Sequence, residues 1–146
     1  MEIITATKAH LHQLVPLFDG YRVFYKQPSS IERAETFLSE RFQQNDSVLY
    51  MAVSDEGDAM GFTQLYPSFS SVSTQRTYIL NDLFVSEAHR KKGVGEALMV
   101  RAKEFAIVQG AKGVTLETGI DNPAQKLYER LGWKRDTEVF HYTWEI

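Results

Sequence analysis

The order of β-favouring runs and helical stripes along the chain predicts an α/β protein with a mixed β-sheet flanked by helices. Short apolar runs rich in β-branched and aromatic residues predict strands, and apolar residues recurring every three or four positions predict helices. Along the sequence these elements follow the order βααβββαβαβ. No internal repeat, low-complexity tract or linker interrupts the 146 residues, so we expect one domain spanning residues 1–146.

The first third of the chain predicts one strand and two helices. Residues 3–7 form the first strand, and an apolar stripe after them predicts the first helix. Pro16 lies within that stripe, and we expect it to kink or shorten the helix. Residues 21–25 are aromatic and fit either a continued helix or a loop over a substrate. Ser29 and Glu32 have the spacing of a capping box, which predicts the start of the second helix.

The next stretch predicts a β-hairpin and a loop. Residues 48–53 and 59–66 are strand-like runs separated by a short acidic turn that contains a glycine. Pro67 is expected to close the second of these strands. The serine-rich residues 68–77 then predict a loop.

The second half of the chain predicts strands around a long helix. Residues 78–85 read as a buried strand. Residues 113–118 predict a further buried strand, and residues 137–145 alternate apolar and polar side chains, which predicts a last strand. The helix between them has one apolar face, formed by Val94, Ala97, Leu98, Ala102, Phe105 and Ala106.

A cationic turn containing two glycines connects the strand at 78–85 to the long helix. Its residues are Arg90, Lys91, Lys92, Gly93, Val94 and Gly95. Glycines let the backbone approach a ligand without a Cβ in the way, and the first N–H groups of a helix point outward at the positive end of its dipole. Together with three cations these features predict a pyrophosphate site. A simple connecting turn with solvated basic residues fits the same pattern. The turn is not a dinucleotide fingerprint, because it lacks the third glycine, and it is not a Walker A loop, because no Gly-Lys-Ser/Thr follows.

A second segment downstream strengthens the interpretation of the first. Asn122 and Pro123 predict the start of a short helix, because asparagine caps helices and proline is favoured at the first helical position. Gly132 lies where a left-handed residue usually ends a helix. Tyr128 lies within this helix, and Trp133 follows its end.

The two segments, in this order, resemble the GCN5-related N-acetyltransferase (GNAT) family. That family carries an Arg/Gln-x-x-Gly-x-Gly/Ala loop between a strand and a helix, then Asn-x-x-Ala-x-x-x-Tyr and a closing Gly-aromatic pair. The resemblance implies a GNAT-like mixed central sheet whose central strands, here residues 78–85 and 113–118, splay apart to admit acetyl-coenzyme A (acetyl-CoA). Counted from Asn122, both the alanine and the tyrosine of the second motif fall one place earlier in this chain. The matching positions are Arg90, Gly93, Gly95, Asn122, Ala124 or Gln125, Tyr128, Gly132 and Trp133.

The resemblance also implies which residues hold acetyl-CoA. Backbone groups of Leu83 and Val85, with Phe84 between them, would hold the pantetheine arm, and an N–H near Leu83 would stabilise the thioester oxyanion. The side chains of Leu83 and Val85 fit core packing. Asn122, Ala124 and Tyr128 would contribute from the downstream segment. The pyrophosphate would contact the turn and first helical residues Arg90, Lys91, Lys92, Gly93, Val94, Gly95 and Glu96.

Acetyl transfer to an amine needs a base and an acid. Tyr128 is the candidate acid, since a phenol with a reference pKa of about 10 stays protonated at neutral pH; packing of its ring on the sheet is the alternative. Asp82 is a candidate base, because a carboxylate in an apolar strand is costly unless it is paired or used, and a structural anchor fits equally well. Asn81 occupies the place where related polyamine acetyltransferases have a glutamate, and strand alternation sends its side chain to the face opposite Asp82. Glu117 and a relayed water are further candidates.

Composition excludes several other classes of function. The chain has no cysteine, which rules out disulfides, thiol catalysis and cysteine metal sites. A net charge of −3 argues against a general nucleic-acid binder. No apolar run approaches the length of a membrane span, and the N-terminus does not resemble a signal peptide, so we expect a cytoplasmic protein without membrane contact. The four histidines have no metal-ligand spacing with carboxylates, so no metal site is predicted.

The sequence therefore predicts an acetyl-CoA-dependent N-acetyltransferase that acts on a primary amine of a small molecule by direct transfer in a ternary complex. Polyamine-like, aminoglycoside and aminoalkylphosphonate acceptors all remain open, as does a peptide or protein amine. A catalytically silent CoA-binding module and a nucleotide-phosphate binder are the alternatives from other classes. Homodimers are frequent in the family, and the sequence leaves the oligomeric state open.

Overall fold

The computed structural model describes all 146 residues of the chain. One β-sheet and four α-helices make up its regular structure, and no helix has both the length and the hydropathy to cross a membrane. The strands are β1 (Glu2–Thr5), β2 (Val48–Val53), β3 (Ala59–Ser70), β4 (Gln75–Val85) and β5 (Val114–Thr115). The helices are α1 (Leu11–Phe24), α2 (Ile31–Gln44), α3 (Val94–Val108) and α4 (Gln125–Arg130).

The sheet is mixed, as predicted. Its strands lie in the order β1-β2-β3-β4-β5, and the first four pair antiparallel. β5 pairs parallel to β4, which it reaches through the crossover helix α3. The predicted α/β class with flanking helices is therefore confirmed.

A separate hydrophobic core lies on each face of the sheet. On one face α3 packs with Val94, Leu98, Ala102 and Ala106 buried, which confirms the predicted apolar face of the long helix, and Met99 is buried beside them. On the other face α1 and α2 bury a second cluster around Phe62 and Leu38. The sheet thus lies between two apolar layers, one on each face.

Pro16 does not shorten the first helix, contrary to that part of the prediction. α1 continues without a break through Pro16 to Phe24. The proline is exposed, while the neighbouring Leu17 and Phe18 are buried and anchor the following turns against the core. The aromatic residues 21–25 therefore extend α1 and cap it, rather than forming a loop.

The predicted capping box of Ser29 and Glu32 is absent, because the helix is capped by the next serine and Arg33 stands where a box needs glutamate or glutamine. Ser30, not Ser29, caps α2, and its hydroxyl accepts a hydrogen bond from the Arg33 N–H at 3.2 Å. Ser29 instead donates to the Asp19 carboxylate at 2.6 Å, and the Ser30 N–H donates to the same carboxylate at 2.8 Å. The buried Asp19 fixes the approach to α2 and so decides which serine is the cap.

The predicted loop at residues 68–77 is also wrong, because β3 and β4 form one long hairpin. Ser68 pairs with Thr77, and the pairing continues to Ser70 and Gln75. Pro67 lies inside β3, opposite Tyr78, whose N–H donates to Gly113 and so points away from β3. The missing N–H of Pro67 therefore faces the edge of β3 beyond the end of β2, where a strand tolerates proline.

A β-bulge interrupts β4 at Asn81. Gln64 pairs with Asp82 and the adjacent Leu65 pairs with Leu80, so Asn81 is the extra residue. Leu80 is part of the core beneath α3, whereas Asp82 shares the opposite face with Gln64. Regular alternation would place the side chains of Asn81 and Asp82 on opposite faces of the sheet, as the sequence predicts. The bulge breaks this alternation, and the two side chains are in contact.

Three predictions for the C-terminal third need correction. β5 comprises only two residues, because the chain beyond Thr115 diverges from β4. α4 begins at Gln125, since the Asn122 side chain accepts from the Ala124 N–H at 3.0 Å and so caps a turn ahead of the helix. Residues 137–145 form no strand, because they pair with no other strand, and their side chains are exposed.

Candidate active site

The divergence of β4 from the chain after β5 opens a cleft of about 270 Å³. Pairing between the two strands ends at Ile79 and Thr115, and the walls beyond this point come from both strands, from α4 and from the end of α1. Among its sixteen lining residues are eight predicted site residues: Leu83, Phe84, Val85, Arg90, Gly95, Asn122, Ala124 and Tyr128. The cleft thus unites residues that are up to 45 positions apart, counted from Leu83 to Tyr128.

Backbone groups of β4 point into the cleft at alternate positions. The Ser86 N–H donates to Met60 on β3, and the carbonyl of Phe84 faces Gly61 on the same strand. Since backbone groups of an antiparallel strand alternate between its two edges, those of Leu83 and Val85 face the cleft. This edge can pair with an extended ligand as a neighbouring strand would.

The glycine-containing turn forms one end of the cleft. Gly93 has φ of 78°, which an L side chain rarely adopts, and it is the residue immediately before α3. A Cβ on Gly95 would lie 3.5 Å from Leu127 and 3.8 Å from Val85, so it would fill space at the cleft wall without disturbing the fold. The first N–H groups of α3 are available at this end.

The cations of the turn differ in their surroundings. Arg90 donates from Nε to the Val85 carbonyl at 3.1 Å, and its guanidinium lies over the Phe24 and Phe84 rings at 6.0 and 5.8 Å. Arg90 therefore forms part of the cleft wall. Lys91 and Lys92 are exposed, and the ammonium of Lys92 donates to Ala88 at 3.0 Å.

Glu96, in the first turn of α3, forms an ion pair with Arg130 at 2.8 Å. This contact connects α3 to α4 and fixes the two helices that border the cleft. Because both side chains are substantially exposed, the pair orients the helices and adds little stability. Glu96 does not line the cleft.

Tyr128 is half-buried on α4, and its ring lies 6.5 Å from that of Trp133. Burial raises the pKa of the Tyr128 phenol, because a phenolate is poorly stabilised there, and the nearby Tyr25 raises it further. The Thr118 hydroxyl acts in the opposite direction. The phenol is accordingly protonated at neutral pH and lines the cleft.

Asp82 lies behind the cleft wall, with only 2% of its surface exposed. It accepts hydrogen bonds from Gln64 Nε2 at 2.5 Å and from Asn81 Nδ2 at 2.7 Å. Burial raises the pKa of this carboxyl, while the donors Asn81, Gln64 and Tyr21 counteract the rise. Asp82 forms no salt bridge, so its charge is stabilised by neutral donors only.

Of the polar neighbours of Asp82, the sequence singled out only Asn81. Gln64 is fully buried, donates to Tyr66 at 3.1 Å as well, and leaves its own carbonyl oxygen without a hydrogen-bond partner. Tyr21 donates to the Asn81 backbone carbonyl at 3.2 Å. Burial and the neighbouring Asp82 raise the pKa of both Tyr21 and Tyr66, so both phenols stay protonated. Burying a polar side chain in an apolar strand is costly unless the side chain is paired or used. The sequence analysis applied this rule to Asp82, and the same rule would have identified Gln64.

Not every predicted site residue lies on the cleft. Asp82 lies behind it, and Glu117, the other candidate base, lines its mouth. Phe24 and Tyr25, at the end of α1, contribute an aromatic wall that the sequence left ambiguous. The remaining predicted residues lie near the cleft but not on its lining: Lys91, Lys92, Gly93, Val94 and Glu96.

Comparison of the chain with known proteins identifies its family. The model of the acetyltransferase (GNAT) family matches residues 14–133, which include both motif segments and the whole cleft lining. The chain belongs to the GNAT family. It is an acetyltransferase, and the family's acyl donor is acetyl-CoA.

Individual relatives agree with the family assignment. The GNAT chain is 46% identical over 143 residues to the uncharacterised N-acetyltransferase YhfO of Bacillus subtilis (strain 168), a match covering 97% of this chain and 95% of the relative. The crystal structure of a probable acetyltransferase superposes with a TM-score of 0.94 at 44% identity, covering 100% of this chain and 98% of the other. An aminoglycoside N-acetyltransferase crystallised with CoA has the same fold, with a TM-score of 0.83 at 20% identity over 99% of this chain and 95% of that one.

Proposed function

We propose that this GNAT chain transfers the acetyl group of acetyl-CoA to the primary amine of a small molecule by direct attack in a ternary complex. The observation that carries the proposal is the cleft, which joins a phenol, an open strand edge and the N-terminus of α3 in one space. The chain has no cysteine that could form a thioester with the acetyl group. Direct transfer is the simplest route that uses the groups present.

The chain's own residues suit a CoA thioester along the whole cleft. The backbone edge at Leu83 and Val85 pairs with the amides of the pantetheine arm, and Asn122 borders the same space. The pyrophosphate meets the N–H groups at the start of α3, where Gly95 leaves room for it and Lys91 and Lys92 add positive charge. Arg90 donates a hydrogen bond to the Val85 carbonyl and lines the cleft between the pantetheine region and the pyrophosphate region.

The acceptor enters from the side of α1. Phe24 and Tyr25 present aromatic faces there, and Asn81 and Glu117 present polar groups. Aromatic faces and carboxylates attract alkylammonium groups, so this wall suits a small cationic amine. The residues at this mouth decide which amine is used.

Two proton transfers accompany the reaction. Asp82 takes the proton that the ammonium must lose before its nitrogen can attack, through a water between the acceptor and the Asn81 side of the cleft. The new N–C bond then forms, and an N–H facing the cleft at Leu83 stabilises the oxyanion. As the C–S bond breaks, Tyr128 gives its phenolic proton to the sulfur, and the phenolate is reprotonated from solvent. The attacking nitrogen loses its second proton to solvent and becomes the neutral amide. Asp82 releases the proton that it took to solvent as well, so the reaction yields one proton overall.

A panel of amine acceptors with acetyl-CoA tests the proposed function. We expect thiol release that depends on a small primary amine, with the N-acetylated amine identified by mass spectrometry. Polyamines, aminoglycosides, aminoalkylphosphonates and a lysine peptide should be compared at equal concentration. Acetylation confined to the peptide would contradict a small-molecule acceptor, and CoA binding without turnover on any amine would point to a silent binding module.

A further inference from the structure

A buried polar cluster surrounds the Asp82 carboxylate on the face of the sheet that α1 covers. The Gln64 side chain is fully buried, and Asp82 has only 2% of its surface exposed. Tyr21 reaches the cluster from α1, and Tyr66 reaches it from β3. Buried polar groups are nearly always paired in folded proteins, and the groups of this cluster pair mainly with one another.

The Gln64 amide nitrogen bridges two members of this cluster. One of its N–H groups donates to Asp82 Oδ2 at 2.5 Å, and the other donates to the Tyr66 hydroxyl oxygen at 3.1 Å. A side-chain amide has two protons to donate, so both are used. Gln64 and Asp82 are directly paired residues of β3 and β4, and their side chains lie on the same face. The register of the hairpin therefore places the bridge.

The carbonyl oxygen of the same amide is buried without a hydrogen-bond partner. Reversing the amide would let this oxygen accept a hydrogen bond from Tyr66, but it would also place the oxygen against the Asp82 carboxylate. A carboxylate has acceptors only, so the two oxygens would repel each other unless Asp82 were protonated. The observed orientation thus serves the charged form of Asp82 and leaves the Gln64 carbonyl unpaired.

Water can replace the Asn81 donor to Asp82, but it cannot replace the Gln64 donor. Asn81 is an exposed residue that lines the cleft, and it donates to Asp82 Oδ1 at 2.7 Å. Gln64 has no exposed surface, so solvent offers no donor to the second carboxylate oxygen. Removing one partner of a buried hydrogen bond costs the desolvation of the group that is left, and the cost is larger when that group is charged.

We propose that Gln64 is a positioning residue: it orients the Asp82 carboxylate and stabilises its charged form, and Tyr66 fixes the Gln64 amide in the required orientation. The inference rests on the proposed function, in which Asp82 takes the proton of the ammonium. Burial raises the pKa of Asp82, and the donors Asn81, Gln64 and Tyr21 lower it, in agreement with this role. Neither Gln64 nor Tyr66 lines the cleft, so both act through Asp82.

Asp82 is the one group of the cluster that titrates below the range of the phenols. The titratable groups that face it are Tyr21 on α1 and Tyr66 on β3. Burial and the neighbouring carboxylate raise the pKa of both phenols, so both stay neutral while Asp82 titrates. Arg41 and Asp46 act on Tyr66 with opposite signs and pair with each other at 2.8 Å.

Carbon-13 NMR of the Asp82 carboxyl, identified by its absence in Asp82→Asn, measures its pKa without any need for activity. Gln64→Met keeps the length of the side chain and removes both donors. We expect the pKa of Asp82 to rise by about one to two pH units, because a hydrogen bond to a charged group is lost. The turnover number should then fall at neutral pH and recover as the pH is raised.

Thr63→Val is the matched control. Thr63 is fully buried in the same strand, and its hydroxyl donates to the backbone carbonyl of Asp82 at 2.8 Å instead of to the carboxylate. We expect this variant to leave the pKa of the Asp82 carboxyl unchanged. An Asp82 pKa that is the same in wild type and Gln64→Met, or that rises as far in Thr63→Val, overturns the proposal.

Tyr66→Phe removes one hydroxyl from a half-buried ring, so it provides a second variant if Gln64→Met does not fold. We expect a smaller rise of the Asp82 pKa, since the amide loses the contact that fixes its orientation. The double variant should match Gln64→Met alone, because Tyr66 acts only through the amide. Rises that add in the double variant, or no rise in Tyr66→Phe, would overturn the role given to Tyr66.

The pH–rate profile separates this proposal from the proposed function. A carboxyl pKa and a rate midpoint that rise together in Gln64→Met support both. A carboxyl pKa that rises while the rate profile keeps its midpoint supports the stabilisation of Asp82 by Gln64, and the assignment of Asp82 as the base is then the part that fails.

Discussion

The Gln64 side chain donates a hydrogen bond of 2.5 Å to the Asp82 carboxylate across the paired strands β3 and β4. Both residues are buried, and each lies in the middle of its strand. The bulge at Asn81 creates the contact, because it shifts Asp82 to the face on which Gln64 lies. The sheet thus contains a buried acid next to the cleft, stabilised by the amides of Gln64 and Asn81 and by the Tyr21 phenol instead of by a cation.

Asp82→Asn tests the role of this acid in the reaction. The substitution keeps the shape and removes the proton acceptor, so we expect the amine-dependent rate to fall by about 10²-fold or more, with acetyl-CoA affinity nearly unchanged. In the wild type the rate should rise with pH as Asp82 loses its proton, at a pH above the usual carboxyl value of about 3.9, because burial raises its pKa. That rise should be missing from the variant's pH–rate profile.

Glu117→Gln is the matched comparison, since Glu117 is the exposed carboxylate at the cleft mouth. We expect it to alter the Michaelis constant for the amine more than the turnover number. The reverse pattern, in which Glu117→Gln abolishes the pH-dependent rise and Asp82→Asn leaves it intact, would assign the base to Glu117 and leave Asp82 a structural role.

Asp82 should also leave a signature in the pH dependence of stability. Its folded-state pKa is raised above the unfolded value, so its contribution to the free energy of unfolding is fully present below the unfolded pKa and is lost as pH rises through the folded pKa. Asparagine does not titrate. Relative to wild type, Asp82→Asn should therefore gain stability as the pH is raised from about 4 to about 8. Urea unfolding across this pH range measures the difference; a difference that stays constant or shrinks would mean that the buried carboxyl is not destabilised.

Gly95→Val tests the phosphate seat at the start of α3. A Cβ at this position meets only ordinary van der Waals contacts, so the fold should survive, while the branched side chain occupies the space that the pyrophosphate needs. We expect acetyl-CoA affinity measured by calorimetry to fall at least about tenfold, or about 1.4 kcal/mol.

Gly113→Val is the control for that measurement, because Gly113 has open space around it and no positive φ. It lies at the other end of the sheet from the turn, next to Val114 of β5. Unchanged affinity in a folded Gly95→Val variant, or an equal loss in Gly113→Val, would remove the turn from the binding site.

Much of the fold could be predicted from the sequence because local patterns and tertiary packing agree there. The apolar face of α3 is both periodic and buried, and Gly132 has the left-handed φ of 86° that its place after α4 requires. The two motif segments were also enough to predict that Gly95 and Tyr128 belong to one site, and both residues line the cleft. These are residues whose roles depend on their immediate neighbours in the chain.

The predictions failed where a distant strand decides the local structure. Pro67 and the serines after it look like a loop, but pairing with β4 carries β3 through them. The bulge at Asn81 has no signature in β4 itself, because it arises from the register with β3. Residues 137–145 carry a strand pattern that finds no partner strand in the chain.

Tyr128→Phe gives the most direct test of the proposed chemistry. It deletes only the phenolic hydroxyl and keeps the ring that packs near Trp133, so stability and acetyl-CoA affinity should change little. We expect the turnover number for the best amine, measured where chemistry limits the rate, to fall by about 10²- to 10⁴-fold, which is about 3–5 kcal/mol of barrier. A folded variant that binds acetyl-CoA and turns over within about threefold of wild type would contradict the assignment of Tyr128 as the acid that protonates the thiolate.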